Sequence, residues 1–584
     1  MNRFTHSTIV RISIESFLVL LAIMRLYQIN TVDFMTLILF GCAFFILHTL
    51  HDLTGTHHIE RKDLISCALL GVFFSTCTCT AAYVTILNGL SNSLFCFLIL
   101  SGTFAGLFLI YDHVCLFVLH MSRSINLRSE LYSFPWLPLI TFAGCLICWL
   151  PSFLYHYPGT MTPDSINQYA QILGVYAQSN HHPWVHTQLI HVLYAIGMRI
   201  TGSPVHAIAF YTVFQMLFMA FVAAFVVRTL QKAHFNMPVC IITACFYAII
   251  PYHAALATTI WKDVLFAGAV TLFTCTLIQL LLYGREVSQE KGLPGILLLY
   301  GLSGIMISLF RTNGWYAFLL SLPFILYTFR HMIKYMLPAN IAILVIVLII
   351  KIPIMNIYGV IQPDFAESLS IPAQQIANVY AHGGQITASQ QEALDKIIDT
   401  GQLASVYQPD VYDPVKYLLR DGDQTYLEQH KTEYLSLWLS IGCSNPGAYM
   451  EAYINQTKGY WYPDVSYEVG LDEGIYANDF GLTWSPVIRG NAAIKIKEII
   501  FKLWDMIPLY GLLWSMGAIF WILLVCIAIC RKKENLKSIL LYLPALGIVL
   551  TLCLATPVAA EFRYAYALVY TLPLYLTAPF LSNS

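Results

Sequence analysis

The sequence predicts an all-α protein that crosses a membrane many times. Of its 584 residues, 58% are hydrophobic and 11% are charged, whereas about a quarter of the residues of a soluble protein are charged. Apolar runs of about 20 residues, long enough to cross a bilayer as a helix, recur along the chain. This composition excludes a soluble enzyme, a disordered chain and a secreted disulfide scaffold. The net charge of −1 excludes a nucleic-acid binder of the basic-patch type.

The apolar runs predict about 14 transmembrane helices. They lie at residues 8–28, 32–50, 64–86, 92–119, 135–156, 205–229, 237–252, 263–283, 294–310, 314–330, 335–356, 508–530, 537–556 and 563–581.

Lysine and arginine residues set the predicted orientation, because short cytoplasmic connections are enriched in them. With the N-terminus in the cytoplasm, alternate connections carry the basic residues, and the C-terminus is cytoplasmic as well. These residues are Arg61 and Lys62, Arg123 and Arg128, Arg228 and Lys232, Arg285 and Lys291, Arg330 and Lys334, and Arg531, Lys532 and Lys533.

Four regions follow from this pattern. Residues 1–134 form an N-terminal block of four spans, and residues 135–357 hold spans five to eleven with a polar outer loop at 158–204. Residues 358–505 form an extracytoplasmic, mainly helical domain, and residues 506–584 hold the last three spans. We find no internal repeat, which argues against an inverted-repeat transporter.

The outer loop contains the first candidate functional residue. Asp164 is its only acid and follows the helix-breaking segment YPGTMTP. One interpretation is that Asp164 caps the helix that Ser165 would begin. The other is that its carboxylate faces a cavity and acts as a general base or as a ligand of a divalent metal.

Two adjacent histidines, His181 and His182, follow in the same loop. Neighbouring side chains point in different directions, which disfavours a shared metal site. They are either polar surface residues or hydrogen-bond donors to a phosphate or a sugar hydroxyl. Residues 184–200 then predict an amphipathic helix at the membrane interface, with His186 on its polar face.

Six basic residues fall near the outer face against the positive-inside tendency, namely Arg25, Arg199, Lys262, Arg311, Lys351 and Arg563. Three of them are the candidates for a functional role. Lys262 lies in WKD, Arg311 in LFRTNGWY, and Arg563 in AAEFRYAY. One interpretation is local pairing, of Lys262 with Asp263 and of Arg563 with Glu561, or extension of these side chains to lipid headgroups. The other is that the three cations converge on one site, which would suit a phosphate or pyrophosphate.

Histidines are also frequent in the cytoplasmic segment HTLHDLTGTHHIERKD, but their spacing matches no metal motif, and we interpret the segment as a solvated loop. Arg11 and Glu15 in the first span are four residues apart and predict an ion pair on one helix face.

Together these segments resemble the glycosyltransferase C superfamily. The resemblance is carried by PGTMTPDS, NHHPW and GSPVHAIAFYTVFQ in the outer loop and by the later WKD and EFRY. It covers about residues 158–580 and is closest to an uncharacterised bacterial membrane family that shares RTNG and ESLSIPAQQIA. Protein O-mannosyltransferases and lipid A aminoarabinose transferases are more distant. They often show paired acids where this chain has Asp164-Ser165.

The resemblance implies a bacterial plasma-membrane enzyme that moves a sugar from a polyprenyl-phosphate donor to an extracytoplasmic glycan, lipid or protein. Asp164 would be the base or a metal-associated carboxylate, while the metal requirement is left open. No nucleic-acid partner is expected. The residues expected to bind the substrates are His181, His182, Lys262, Asp263, Arg311, Glu561, Arg563 and Tyr564.

Two other classes of protein compete with the enzyme. A lipid-linked oligosaccharide flippase or another transporter would place ionisable residues in mid-span and would contain discontinuous helices. A non-catalytic membrane protein that binds the cell envelope would need no carboxylate beside a cationic pocket.

Overall fold

The computed structural model describes residues 6–55, 60–129, 134–283, 292–465, 467, 469–470 and 472–581. Within them the chain is helical, and its β structure is limited to isolated bridges. The helices are α1 (His6–Tyr27), α2 (Phe34–Gly55), α3 (Arg61–Ala81), α4 (Tyr83–Ile86), α5 (Ser93–Ser124), α6 (Leu137–His156), α7 (Pro163–Ile172), α8 (Trp184–Thr201), α9 (Pro204–Lys232), α10 (Met237–Ile249), α11 (Pro251–Ala257), α12 (Lys262–Leu282), α13 (Leu293–Phe310), α14 (Thr312–Thr328), α15 (Ile333–Ile349), α16 (Met355–Ile357), α17 (Ser370–Ala381), α18 (Ala388–Leu394), α19 (Thr400–Val406), α20 (Asp413–Arg420), α21 (Gln424–Gln429), α22 (Lys431–Ser444), α23 (Pro446–Thr457), α24 (Asn491–Met506), α25 (Met516–Lys532), α26 (Leu543–Ala555), α27 (Tyr566–Tyr570) and α28 (Leu572–Thr577).

Shorter helical turns connect several of these helices. Turns of 3₁₀ type lie at Arg330–Met332, Phe365–Ser368, Lys458–Tyr460, Tyr510–Trp514, Leu536–Tyr542, Phe562–Ala565 and Ala578–Phe580, and a π-helical turn lies at Ile350–Ile354.

Nine of the described helical segments are long and apolar enough to cross a membrane. A tenth crossing results if α10 and α11, which are bent by 55° at their junction, form one span. The chain is therefore a multi-pass helical membrane protein. The nine segments are Phe34–Asp52, Arg61–Ala81, Ser93–Ser124, Leu137–His156, Pro204–Lys232, Lys262–Leu282, Leu293–Phe310, Arg330–Ile357 and Leu536–Ala555.

The other four expected spans have different structures. The first, 8–28, is the helix α1, which carries charged residues in its interior. The spans expected at 314–330 and 508–530 correspond to α14 and α25, each of 17 residues, near the lower limit of about 17 for a crossing helix. The last, 563–581, consists of α27, α28 and short 3₁₀ turns. The total of fourteen thus stays a prediction.

The chain divides into two compact units, the first of which comprises residues 1–126 and 521–536. Its helices α3 and α5 pack along each other. Phe74 of α3 stacks on Trp521, with ring centroids 4.1 Å apart. Lys532 donates a hydrogen bond to the buried carboxylate of Asp63, so the basic end of α25 is fixed within this unit.

The second unit comprises residues 127–520 and 537–584 and is organised around α12. This helix is apolar on all sides and almost completely buried, and it packs against α9, α13 and α27. The contact with α9 is close at Gly268, where an added Cβ would lie 2.6 Å from the Phe218 ring. Lys262 and Asp263 form the first turn of α12, so a rigid helix positions both charges.

Residues 358–505, the polar domain, have their own apolar core between α17 and α23. This domain also binds the segment that leads to Glu561 and Arg563. The Gln456 amide donates to the carbonyl of Thr556 at 2.7 Å, and the Tyr460 hydroxyl donates to the carbonyl of Val558 at 2.8 Å. The polar domain therefore fixes the approach to the last helices.

Candidate functional site

Asp164 lies in the first turn of α7, but it is not the residue that caps it. The N-cap is Thr162, whose backbone N–H donates to the Ser165 hydroxyl at 3.0 Å. The capping interpretation of Asp164 is therefore wrong. The carboxylate is left available for other partners, beside the positive end of a helix.

The loop before α7 is attached to α9 and α11. Gly159 has a φ of +144°, and an added Cβ would lie 2.3 Å from the Thr212 hydroxyl of α9. Thr160 donates to the carbonyl of Thr258 and accepts from the N–H of Ile260, both at 2.9 Å. This short bridge places the start of α7 beside the start of α12, and thus Asp164 beside Lys262.

Asp164 meets two of the three expected cations. Its Oδ2 atom lies 3.0 Å from Arg563 Nη1 and 3.4 Å from Lys262 Nζ. The Lys262 ammonium group also donates to Nδ1 of His182 at 3.1 Å, and His182 Nδ1 lies 4.0 Å from Asp164 Oδ2. Three elements distant in sequence thus supply one ionic cluster.

The third cation, Arg311, pairs with Asp263 rather than with Asp164. Asp263 is 1% exposed, and its second oxygen has no hydrogen-bond partner among the described residues. The expected local pair of Lys262 with Asp263 is not present, because these adjacent residues project toward different partners. Arg563 does pair locally, since its Nε atom lies 3.3 Å from Glu561 Oε1, in addition to its contact with Asp164.

Two aromatic rings connect these ion pairs into one site. The ring of Tyr564 lies 4.6 Å from the guanidinium carbon of Arg311 and 5.4 Å from that of Arg563. The ring of Trp261 lies 4.5 Å from the guanidinium carbon of Arg563. Such stacking holds guanidinium groups in a fixed plane. We name this the charged site; it comprises Asp164, His182, Lys262, Asp263, Arg311, Glu561, Arg563 and Tyr564.

The carboxylates of the charged site differ in basicity. Burial opposes ionisation of Asp164, but the charges of Lys262 and Arg563 outweigh it and hold the pKa of Asp164 well below its ordinary value. Burial raises the pKa of Glu561, and the carboxylates of Asp263 and Asp164 raise it further, against the opposing charge of Arg563. With these cations beside it Asp164 is therefore ionised and a weak base, whereas Glu561 is the stronger proton acceptor.

The two histidines have different environments. Burial, and next the charge of Lys262, lower the pKa of His182 well below its ordinary value. His182 is therefore neutral, and its Nδ1 accepts the hydrogen bond from Lys262. His181 turns away from these residues, and its Nδ1 lies 3.5 Å from Oε1 of Glu367 in the polar domain.

Sequence reasoning missed several polar residues that support the charged site. His186, expected on a polar face, is fully buried, and its Nε2 lies 2.5 Å from the Tyr211 hydroxyl. The Gln215 amide donates to the carbonyls of Ala257 and Thr259 at 3.0 and 2.7 Å, and so holds the turn before α12. Asn313, within RTNG, is a buried amide with no hydrogen-bond partner in the described ranges.

A metal ion at this site would compete with basic side chains. Lysine and arginine nitrogens lie against one oxygen of Asp164 and one oxygen of Asp263. Across the described part of the chain, three metal-ligand atoms come together only elsewhere, at Glu15, His51 and His113.

Comparison with known protein families identifies the family of this chain. Residues 176–582, well over half of the sequence, match the "Family of unknown function (DUF6020)". The chain belongs to this family. The DUF6020 region includes every residue of the charged site except Asp164, which precedes it. No curated protein and no solved structure matches the chain.

Proposed function

We propose that this DUF6020 protein is a membrane glycosyltransferase with a fold like that of the C superfamily. It would move a sugar from a polyprenyl-phosphate donor to a glycan, lipid or protein acceptor of the cell envelope. It would lie in a bacterial plasma membrane, with both termini in the cytoplasm and the polar domain outside. The observation that carries the proposal is the meeting of Asp164 with Lys262 and Arg563, although Asp164 and Arg563 are 399 residues apart.

A lipid phosphate is the ligand that best fits the position and chemistry of these cations. Lys262 begins α12, which is long enough to cross the membrane, and Arg311 lies between α13 and α14. A headgroup at the bilayer surface can reach such positions from the side. Planar guanidinium groups bind phosphate oxygens through two parallel hydrogen bonds, and a lysine adds a point charge.

The cations would also assist the reaction. When the bond between the sugar and the donor phosphate breaks, negative charge accumulates on the departing phosphate oxygen. Lys262, Arg311 and Arg563 would stabilise that charge because stacking and ion pairs already hold them in place. The acceptor hydroxyl attacks the anomeric carbon and gives up its proton.

Glu561 is our choice for the acceptor of that proton. Its raised pKa matches the task of a general base better than the lowered pKa of Asp164 does. In this assignment Asp164 orients Lys262 and Arg563 before the donor binds. Its negative charge also keeps a phosphate from binding too tightly after the transfer.

The experiment uses the full chain in lipid nanodiscs with a polyprenyl phosphate and with a panel of polyprenyl-phosphate sugars. Binding is followed by native mass spectrometry, and transfer by release of free polyprenyl phosphate in the presence of a cell-envelope extract as acceptor source. We expect Lys262→Ala and Arg563→Ala to reduce binding about tenfold or more, as expected when one charged contact of about 1.4 kcal/mol is lost.

The matched control is Lys497→Ala. Lys497 is 13% exposed and pairs with Glu473 at 2.9 Å, similar to the 15% exposure of Lys262 and its pair with Asp164. If Lys497→Ala reduced polyprenyl-phosphate binding as much as the site variants, or if neither site variant reduced it, a donor site at Lys262 would be contradicted. Binding without release of polyprenyl phosphate from any sugar in the panel would contradict the enzyme and favour an envelope-binding protein.

One observation favours a transporter as the second candidate. A 55° break separates α10 from α11, and α11 leads into the turn before Lys262. Discontinuous helices near a binding site are typical of transporters. A flippase would move the intact donor across the bilayer. Protection of the donor from an external glycosidase, measured in proteoliposomes, separates movement of the donor from its cleavage.

A further inference from the structure

The first unit contains a group of side chains that neither the charged site nor its proposed reaction uses. Glu15 lies on α1, His51 on α2 and His113 on α5. One ligand atom from each residue lies within 4.8 Å of the other two. We propose that these three residues bind a first-row transition-metal dication of the zinc class. This proposal is independent of the proposed function.

The ring of His113 is oriented as a metal ligand. Its Nδ1 lies 2.8 Å from the carbonyl of Leu109, one turn earlier on α5. Donation from Nδ1 to that carbonyl leaves the lone pair on Nε2. A backbone carbonyl on the second ring nitrogen is the usual partner of a metal-bound histidine, because it fixes both tautomer and ring orientation.

His51 and Glu15 supply the other two ligands. The rings of His51 and His113 meet edge to face, with centroids 5.0 Å apart and planes at 85°. His51 Nε2 lies 2.8 Å from Glu15 Oε2. Two imidazoles and one carboxylate at ~2.0–2.2 Å from a tetrahedral ion lie about 3.3 Å from one another. Small side-chain rotations therefore convert the observed group into a metal site.

The surroundings of the group permit a dication. Glu15 and His51 are 15% and 22% exposed, which leaves a path for an ion and a fourth position for water or another ligand. Arg11 donates from Nε to the other oxygen of Glu15, Oε1, at 2.9 Å, and its Nη2 lies 3.4 Å from both ring nitrogens of His51. Because Arg11 is 64% exposed, its guanidinium group can turn into solvent when a metal binds.

Ligand type favours zinc or its neighbours over magnesium and calcium. Imidazole nitrogens are preferred by zinc, copper, nickel and iron, whereas magnesium and calcium require mainly oxygen ligands. With neutral imidazoles and one carboxylate, the bound ion would leave a net charge of about +1 on the site. The metal would tie α1, α2 and α5 together at one point.

Cobalt(II) titration of the full-length, metal-stripped protein in detergent tests the proposal. We expect about one Co²⁺ per chain with the visible bands of a four-coordinate nitrogen and oxygen site, and release of the ion by Zn²⁺. The chain has 15 cysteines, so a thiolate-to-cobalt charge-transfer band in the near ultraviolet would assign the ion to them instead and overturn the proposal.

Three variants locate the ion. His113→Ala and Glu15→Gln should each weaken cobalt binding by about 100-fold or more, since changes even in the outer shell cost 10- to 100-fold. His48→Ala is the matched control, since His48 lies one turn before His51 and pairs with Asp52; it should bind cobalt like the parent. Glu15→Gln keeps the side-chain shape, so its result stands if His113→Ala fails to fold. Unchanged binding in Glu15→Gln, or no cobalt binding by the parent, overturns the proposal.

Discussion

If a lipid phosphate is the donor, as proposed, it competes with the Asp164 carboxylate for Lys262 and Arg563. Asp164→Asn keeps the size of the side chain but removes its charge. Lys262 and Arg563, which lie 3.4 and 3.0 Å from Asp164 Oδ2, then lose their shared counter-charge. We expect the variant to bind a polyprenyl phosphate more tightly than the parent.

The size of the effect follows from these distances. A phosphate that contacts both cations would lie about 5 Å from the Asp164 carboxylate. Two unit charges at that separation repel by about 0.8 kcal/mol in water and by about 3 kcal/mol at an effective dielectric constant of 20. Asp164 is 30% exposed, so an intermediate value applies. About 1.4 kcal/mol corresponds to tenfold tighter binding.

The assay is a titration of the detergent-solubilised protein with a short-chain polyprenyl phosphate, with inorganic phosphate as competitor. Turnover of the same variant should fall about 100-fold, because the cations are no longer oriented for the transition state. Tighter binding with slower transfer is the signature of an orienting carboxylate. An unchanged affinity for phosphate together with lost transfer would refute this reasoning and return Asp164 to the role of base.

Three further predictions concern other residues. Turnover should fall as the pH drops through the raised pKa of Glu561, since only the ionised carboxylate accepts a proton; Glu561→Gln should remove this acid limb from the pH profile and nearly all activity. Arg311→Lys keeps the charge but loses the planar stack on Tyr564, so donor affinity measured by titration should fall about tenfold, or ~1.4 kcal/mol. Gly268→Ala should destabilise the protein by about 1–3 kcal/mol through overpacking. Its thermal aggregation temperature should fall, whereas Gly144→Ala, with open space at its Cβ, should leave that temperature unchanged.

The helical, multi-pass character of the chain was predictable because apolar runs alone report it. The number of crossings was not predictable in the same way. The helices α14 and α25 have 17 residues each, and the last apolar run is divided into short turns. A hydropathy profile is an average over a window of residues, so it does not show such breaks. The sequence also did not predict that residues 521–536 belong to the N-terminal unit, because this depends on contacts between residues far apart in the chain.

Part of the charged site could be predicted from the sequence, because basic residues are unusual at the outer side of a membrane. Lys262 and Arg563 were singled out as basic residues on the wrong side for their orientation, and both meet Asp164. The partner of Asp263 was not predicted, because residues adjacent on a helix point in different directions and the true partner, Arg311, lies 48 residues later. The buried state of His186 depends on Tyr211 and Gln168, which no local pattern reveals.

The burial of α12 has a consequence for how the molecule can change shape. A helix enclosed on every side by other helices cannot tilt or slide without opening voids, and tightly packed interiors resist such deformation. Lys262 and Asp263, which form the first turn of α12, should therefore keep their positions when other parts of the protein move.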